Sequence, residues 1–241
     1  MARSKAKKTN ARAGRARWHP LRWLWRWAVR FVLICVIVTT GVVATHGILT
    51  PPRTFYMGQE ARRLGGIDHQ WLPMSEMAPV MARSLVAAED ANFCQHWGFD
   101  MAAIRAALEE GAGRGASTLS QQVVKNVYLW HGRSWARKAL EALITPAVEL
   151  LWSKRRIVEV YLNVAEFDEG VFGIDAAAHH YFGVSPEALS DVQAARLAMV
   201  LPNPKGRSAS HPTAAQRKRT AQILDGAATI RRDGRAACFE D

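Results

Sequence analysis

The chain has 241 residues and a formal net charge of +11, a size that suits one ordinary domain with an appendage. Residues 1–30 carry ten of the 32 Lys and Arg and no Asp or Glu, so the rest of the chain is close to neutral. The basicity belongs to a tail rather than to a domain face, which argues against a nucleic-acid-binding domain.

Residues 1–17 lack large apolar side chains and read as a disordered basic tail. The stretch Trp18 to Trp27 then holds four of the nine tryptophans, interleaved with arginine, and Arg22, Arg26 and Arg30 share one helix face. Trp and Arg together suit the headgroup layer of a membrane. From Phe31 to Pro52 there is no Lys, Arg, Asp or Glu. The apolar run ends near Leu49 and has about the ~20 residues a helix needs to cross a bilayer. Its long basic lead, and the poor cleavage site at Val42-Val43-Ala44, favour an uncleaved anchor over a signal peptide. The basic lead places the N-terminus in the cytoplasm and the C-terminal part outside.

Pro51-Pro52 and Gly65-Gly66 suggest an irregular linker over 51–75. Beyond it the pattern is helical and no period-2 alternation is sustained, so no strand is expected. Pro79 suits the first position of a helix. On that helix Met81, Leu85 and Glu89 fall on one face, so a carboxylate sits where an apolar residue is expected. A poorly solvated carboxylate has a raised pKa unless it is paired. Asp100 can cap a helix to about Glu110, closed by Gly111, with a glycine-rich connection over 112–116. Thr118 and Gln121 form a capping box, as do Ser190 with Gln193 and Thr213 with Gln216. Ser134 starts a long helix reaching Trp152, and Ser153 caps the next. Nothing after Arg232 carries a structural signal. The cysteines Cys35, Cys94 and Cys238 give neither a disulfide framework nor metal-ligand spacing. Cys35 reads as core-like or lipid-facing, and a Cys94–Cys238 bond is not expected.

Polar chemistry concentrates on two helices. On the helix from Ser117 to Leu129, Leu119, Val123, Val124 and Val127 make an apolar face. The other face carries Thr118, Gln121, Gln122, Lys125 and Asn126: amides, a hydroxyl and a single ammonium. A solvated helix normally mixes charges of both signs, so this face reads as the lining of a site for a polar, anionic ligand. On the helix from Ser134, Arg137 and Glu141 stand four apart and can pair. Such a pair at the edge of a core is either purely structural or presents a second carboxylate to the cleft that holds Glu89, and paired carboxylates are the usual apparatus of glycosyl chemistry.

These residues carry a resemblance. Glu89-Asp90-x-x-Phe93-x-x-His96-x-Gly98-Phe99-Asp100 resembles the first motif of the family 51 glycosyltransferases, the peptidoglycan polymerases. Gly115 to Asn126 (GASTLSQQVVKN) resembles the second motif and Arg137-Lys138-x-x-Glu141 the third. Ser153 to Ile157, with Tyr161-Leu162-Asn163, Gly170 and Gly173, resembles the fourth. Leu197 to Pro204 resembles the fifth. All five come in the family's order over roughly 75–205. No transpeptidase-like domain follows, so the likeness is to the monofunctional members, in their Gram-negative form.

The resemblance implies an all-α, lysozyme-like glycosyltransferase domain over 76–232, preceded by a cytoplasmic tail (1–30), a transmembrane anchor (31–50) and the linker, with a tail at 233–241. It implies a single-pass protein of the cytoplasmic (inner) membrane with its catalytic domain on the periplasmic side. The implied reaction transfers the growing glycan from undecaprenyl diphosphate to the GlcNAc 4-hydroxyl of lipid II, forming β-1,4 linkages. By resemblance Glu89 is the general base and Glu141 assists departure of the diphosphate. Lys125 and Arg133 contact that diphosphate, with Arg137 beside them. Asp90, Phe93, His96, Ser117, Thr118 and Gln121 line or shape the cleft. Partners are the lipid-linked substrates, the bilayer and other cell-wall synthesis proteins, with no nucleic acid. No Asp-x-Asp motif is present, so no residue is assigned to a metal, though a divalent ion could assist the diphosphate.

Two positions depart from the family pattern. Gln193 stands where glutamate is usual, and closes a capping box about as well. Pro146 interrupts the helix that carries Glu141 and calls its straightness into question. The competing enzymatic reading is a lytic transglycosylase or muramidase, which needs no cationic diphosphate site. The non-enzymatic alternative is a membrane protein that binds RNA or anionic lipid through residues 1–30.

Overall fold

The computed structural model describes residues 20–109, 117–132 and 134–240. The basic tail, the glycine-rich connection and Arg133 lie outside them. The chain divides into two compact units, Met1–Thr39 and Thr40–Asp241. In the first, the described residues are helical from Pro20, the start of α1 (Pro20–Ile48), so the described part of the Trp/Arg stretch, Leu21 to Trp27, already belongs to the helix. Its large apolar side chains, among them Leu24, Phe31, Ile34 and Ile37, are exposed. The span Leu21–Ile48, 28 residues, is long and apolar enough to cross a membrane, which suggests a single-pass anchor.

The second unit is almost wholly helical. The linker expected over 51–75 is instead partly regular. Thr54 caps α2 (Phe55–Leu64), and Gly65 ends it at φ 78°. Met57 on this helix is buried, so apolar burial secures a segment whose Pro and Gly residues only mark its ends. Then come α3 (Pro79–Glu89), α4 (Met101–Glu109), α5 (Leu119–Tyr128), α6 (Trp135–Leu151) and α7 (Lys154–Val164). They are followed by α8 (Gly173–Phe182), α9 (Asp191–Val200), α10 (Ala214–Arg232) and α11 (Ala237–Glu240). All three expected capping boxes form, at Thr118, Ser190 and Thr213. Gln193 therefore does what the more usual glutamate would do. Helix α6 runs unbroken through Pro146.

Three short strands were not expected: β1 (Asp68–His69), β2 (Glu166–Asp168) and β3 (Val171–Phe172). They form one sheet in the order β1-β3-β2, with β1 parallel and β2 antiparallel to β3. Strands of two or three residues are too short to show alternation.

The core holds Phe93, Phe167, Phe172, Met81, Leu85, Leu119, Ile157, Leu162, Ile174 and Leu197, all fully buried. Burial of each such side chain is worth roughly 1.5–3 kcal/mol. Helices α3, α9 and α10 pack together on one side, and α5 packs on α6 and α7 on the other. Asn163 of α7 stitches the loop before α3 to this core, accepting from Leu72 N at 2.7 Å and donating to the Leu72 carbonyl at 2.8 Å.

The segment over 233–240, which carries no structural signal in the sequence, ends in α11 and packs on the domain. Phe239 is completely buried and packs toward Phe93, with ring centroids 6.5 Å apart. Cys94 and Cys238 form a disulfide. That bond was not expected because cysteines 144 residues apart carry no local signal; folding brings α11 against the turn that carries Cys94. Arg235 donates to the Ala91 carbonyl at 3.1 Å and Arg83 pairs with Glu240 at 2.6 Å, fastening the same segment. Cys35 is free and exposed.

Candidate active site

Glu89 is the last residue of α3, at the end of the face that buries Met81 and Leu85. Its carboxylate Oε2 accepts from the Gln122 amide of α5 at 2.8 Å. Burial pushes the carboxyl above the ordinary glutamate value, opposed by the Gln122 bond and, more weakly, by Arg219, Lys125 and Arg207. No cation pairs with it directly among the described residues. A carboxylate held this way takes up a proton more readily than an ordinary glutamate.

Asp90 is a bracket. Its Oδ1 meets His96 Nε2 at 2.9 Å, and its Oδ2 accepts from Leu119 N at 2.9 Å. An anion at the N-terminus of α5 satisfies a free donor and suits the helix dipole. Thr118 donates through Oγ1 to the Gly98 carbonyl at 2.6 Å, closing the same joint. Gly98 has φ 82°, and a Cβ there would lie 2.6 Å from Thr145 Cγ2. Only glycine lets the turn sit this close to α6. Beneath it, Lys154 lies over the Phe93 ring at 4.2 Å and pairs with the buried Glu149 at 2.9 Å.

A cavity of about 480 Å³ is lined by Glu89, Asp90, Asp100, Ser117, Thr118 and Arg219. A second, of about 360 Å³, is lined by Gln122, Lys125, Asn126, Tyr161, His131 and Lys205, among others. Gln122 connects them, lining the second and bonding Glu89 in the first. Lys125 is largely buried, which lowers its pKa; Glu141 is the strongest of the charges that oppose this, and Glu89 also contributes. It has no ion-pair partner among the described residues. The single ammonium of the polar face thus feels both glutamates and has no protein anion of its own, which fits an anionic ligand.

Glu141 is enclosed, 2% exposed, between two cations of its own helix. Arg137 Nη1 reaches Oε2 at 2.8 Å, as the spacing predicts, and Lys138 bonds Oε1. Lys138 also donates to Ser117 Oγ at 2.9 Å, bringing Ser117 to this pair.

Of the residues singled out in the sequence, Glu89, Asp90, Ser117, Thr118 and Lys125 line the cavities. Phe93, His96 and Gln121 lie under the walls: Phe93 is in the core, His96 holds Asp90, and Gln121 closes the cap of α5. Arg133 lies outside the described residues. The sequence places Gln122 on the lining face without an individual task, and gives none to Tyr161, Arg219 or the group around Tyr56. Gln122 was visible on the polar face. Arg219 was visible only as part of a basic helix; it donates to the Ala88 carbonyl at 2.9 Å, one residue before Glu89. Tyr56 donates to Glu166 at 2.8 Å and stacks on His131 at 3.7 Å. Burial, with Lys125 and Arg137 near, lowers His131 to about 4, so this imidazole is neutral at physiological pH. Among the described residues no group of three His, Cys, Asp or Glu is arranged to hold a metal ion.

The family model described as transglycosylase matches residues 57–228, which contain Glu89, Gln122, Lys125, Glu141 and Arg219. The chain is 57% identical over 214 residues to the biosynthetic peptidoglycan transglycosylase of Jannaschia sp. (strain CCS1), covering 89% of this chain and 90% of that protein. It is 45% identical over 212 residues to the protein of that name from Caulobacter vibrioides, covering 86% and 93%. To the one from Pseudomonas fluorescens it is 52% identical over 172 residues, covering 70% and 72%. These likenesses favour glycan-strand synthesis over the lytic alternative. The chain belongs to the transglycosylase family and is a peptidoglycan glycosyltransferase.

Proposed function

We propose that this glycosyltransferase polymerises lipid II, with Glu89 as the base. The observation that carries the reading is Glu89 at a cavity wall, held by a neutral amide, with the largely buried Lys125, which has no ion-pair partner among the described residues, within electrostatic reach. The acceptor is the GlcNAc 4-hydroxyl of lipid II. As its oxygen bonds to the anomeric carbon of the donor, Glu89 removes the hydroxyl proton. The bond from that carbon to the diphosphate oxygen breaks, and undecaprenyl diphosphate leaves with the electron pair. Glu89 then returns the proton to water. Lys125, Arg133 and Arg137 hold the diphosphate, and Glu141 keeps Arg137 and Lys138 in place around it. A cation compensates the charge that develops on the leaving group, where it counts most.

The apolar helix α1 anchors the enzyme in the inner membrane, with residues 1–30 in the cytoplasm and the cleft in the periplasm. The excess of basic residues ahead of the span supports this orientation. So does the Cys94–Cys238 bond, which belongs to an oxidising compartment.

Incubation of the full chain with labelled lipid II tests the reaction. Glycan polymer sensitive to muramidase is expected, and release of fragments from intact sacculi without polymer would overturn it. A reporter active only in the periplasm tests the topology: active fused after Pro52, inactive before Arg30.

A further inference from the structure

We propose that Tyr161 and Gln122 are a coupled positioning pair for Glu89, which reserves Glu89 Oε1 as the oxygen that receives the acceptor's proton. The inference rests on the polymerase reading and assigns atoms within it. Tyr161 OH donates to Gln122 Oε1 at 3.0 Å, and Gln122 Nε2 donates to Glu89 Oε2 at 2.8 Å. These three residues come from α7, α5 and α3, so the chain crosses the joint between the two helix groups of the fold.

The direction of the chain is set by chemistry. A carboxylate only accepts, so the amide must turn its NH₂ toward Glu89. That leaves the amide oxygen toward Tyr161, whose hydroxyl fills it. Tyr161 is 3% exposed, and burial together with the Glu89 charge pushes its phenol well above the ordinary value. It stays protonated across the working range and so keeps filling the amide oxygen that the accept-only carboxylate of Glu89 turns toward it. With Oε2 committed, Oε1 is the lone-pair face left for substrate.

The other groups bearing on Glu89 act differently. Lys125 comes from α5, Arg219 from α10, Arg207 from the turn after α9, and Asp90 follows in the chain. The three cations act through space, and Asp90 is committed to His96 and Leu119. None of them fixes the rotation of the carboxylate. Removing the amide also removes a bond to the charged form, so the base becomes harder to ionise.

The test is a double-mutant cycle on lipid II turnover by the full chain. Gln122→Ala and Tyr161→Phe should each lower kcat about tenfold or more, with KM changed less than twofold. Tyr161→Phe in the Gln122→Ala background should cost nothing further, because Tyr161 acts only through the amide. The acid limb of the Gln122→Ala profile should move to higher pH. Restoring the amide on a shorter arm, Gln122→Asn, should bring the limb back only in part. If Tyr161→Phe folds poorly, melting reveals it, and the pH limb of Gln122→Ala decides alone. Losses that multiply, losses confined to KM, or an unmoved limb would overturn the proposal while wild-type polymerisation stands. A wild-type chain that makes no polymer would instead sink the reading beneath it, and the proposal with it.

Discussion

Arg137 and Glu141 stand one turn apart on α6, Nη1 to Oε2 at 2.8 Å, with the carboxylate almost wholly withdrawn from water. Lys138 closes the other oxygen. Two cations thus depend on one buried anion. Their arrangement differs in kind from that of Glu89, which has a neutral partner. Environments this different push two carboxylates toward different tasks.

Glu141→Gln should therefore be a stability variant first. It leaves Arg137, whose side chain is 13% exposed, without its counter-charge. A loss of about 1–3 kcal/mol is expected, below the full cost of a broken buried pair because Lys138 is partly solvated. Thermal melting checks this. Polymerisation should fall but remain measurable.

Glu89→Gln should behave in the opposite way: fold intact, polymerisation abolished. The pH dependence follows from the raised carboxyl. A glutamate whose folded pKa lies above its unfolded value contributes stability that is full below the unfolded value. That stability is lost as pH rises through the folded one. Glutamine carries no such dependence. The melting advantage of Glu89→Gln over wild type should be near zero around pH 4 and grow toward pH 7. An advantage that shrinks over the same range would show that Glu89 is better solvated folded than unfolded.

Lys125→Met should separate stability from activity. Burial is the largest influence on this ammonium and disfavours its charged form, outweighing the pull of Glu141 and Glu89. A folded pKa below the unfolded one destabilises the fold at neutral pH; the cost shrinks as pH rises above the folded value and vanishes only above the unfolded one. The methionine variant should melt higher than wild type at pH 7, with the gap closing in alkali. Its turnover should drop by about a hundredfold or more if the diphosphate relies on this charge. Turnover within a few-fold of wild type would remove Lys125 from the site.

Breaking Cys94–Cys238 should loosen the cleft from behind. Cys238→Ser, or reduction, should cost about 2–5 kcal/mol. The loss should appear first in the turn over 91–97, which the bond, Arg235 and Phe239 hold together. Hydrogen exchange of the amides around Cys94, with and without reductant, checks this. Equal protection in both states would mean that packing of Phe239 suffices.

Local signals in the sequence are legible where a residue acts through its neighbours. Thr118, Ser190 and Thr213 cap their helices within four residues, and Arg137 meets Glu141 across one turn. Glu89 was legible as a carboxylate on an apolar face. What was illegible depends on distant chain. Gln121 and Gln122 share the polar face; the capping box marks Gln121 locally, but that Gln122 meets Glu89 depends on where the end of α3 comes to lie. Cys238 and Phe239 have no pattern around them, and gain meaning only where α11 meets Cys94.

That same covalent bond makes residues 94–238 a closed ring, and both α5 and α6 lie inside it. A protease that cuts the ring once cannot separate the halves. Nicked enzyme would travel as a full-length chain until a reductant is added, and then fall into two bands. In a compartment with proteases but little thiol, the cleft could outlast its own cleavage.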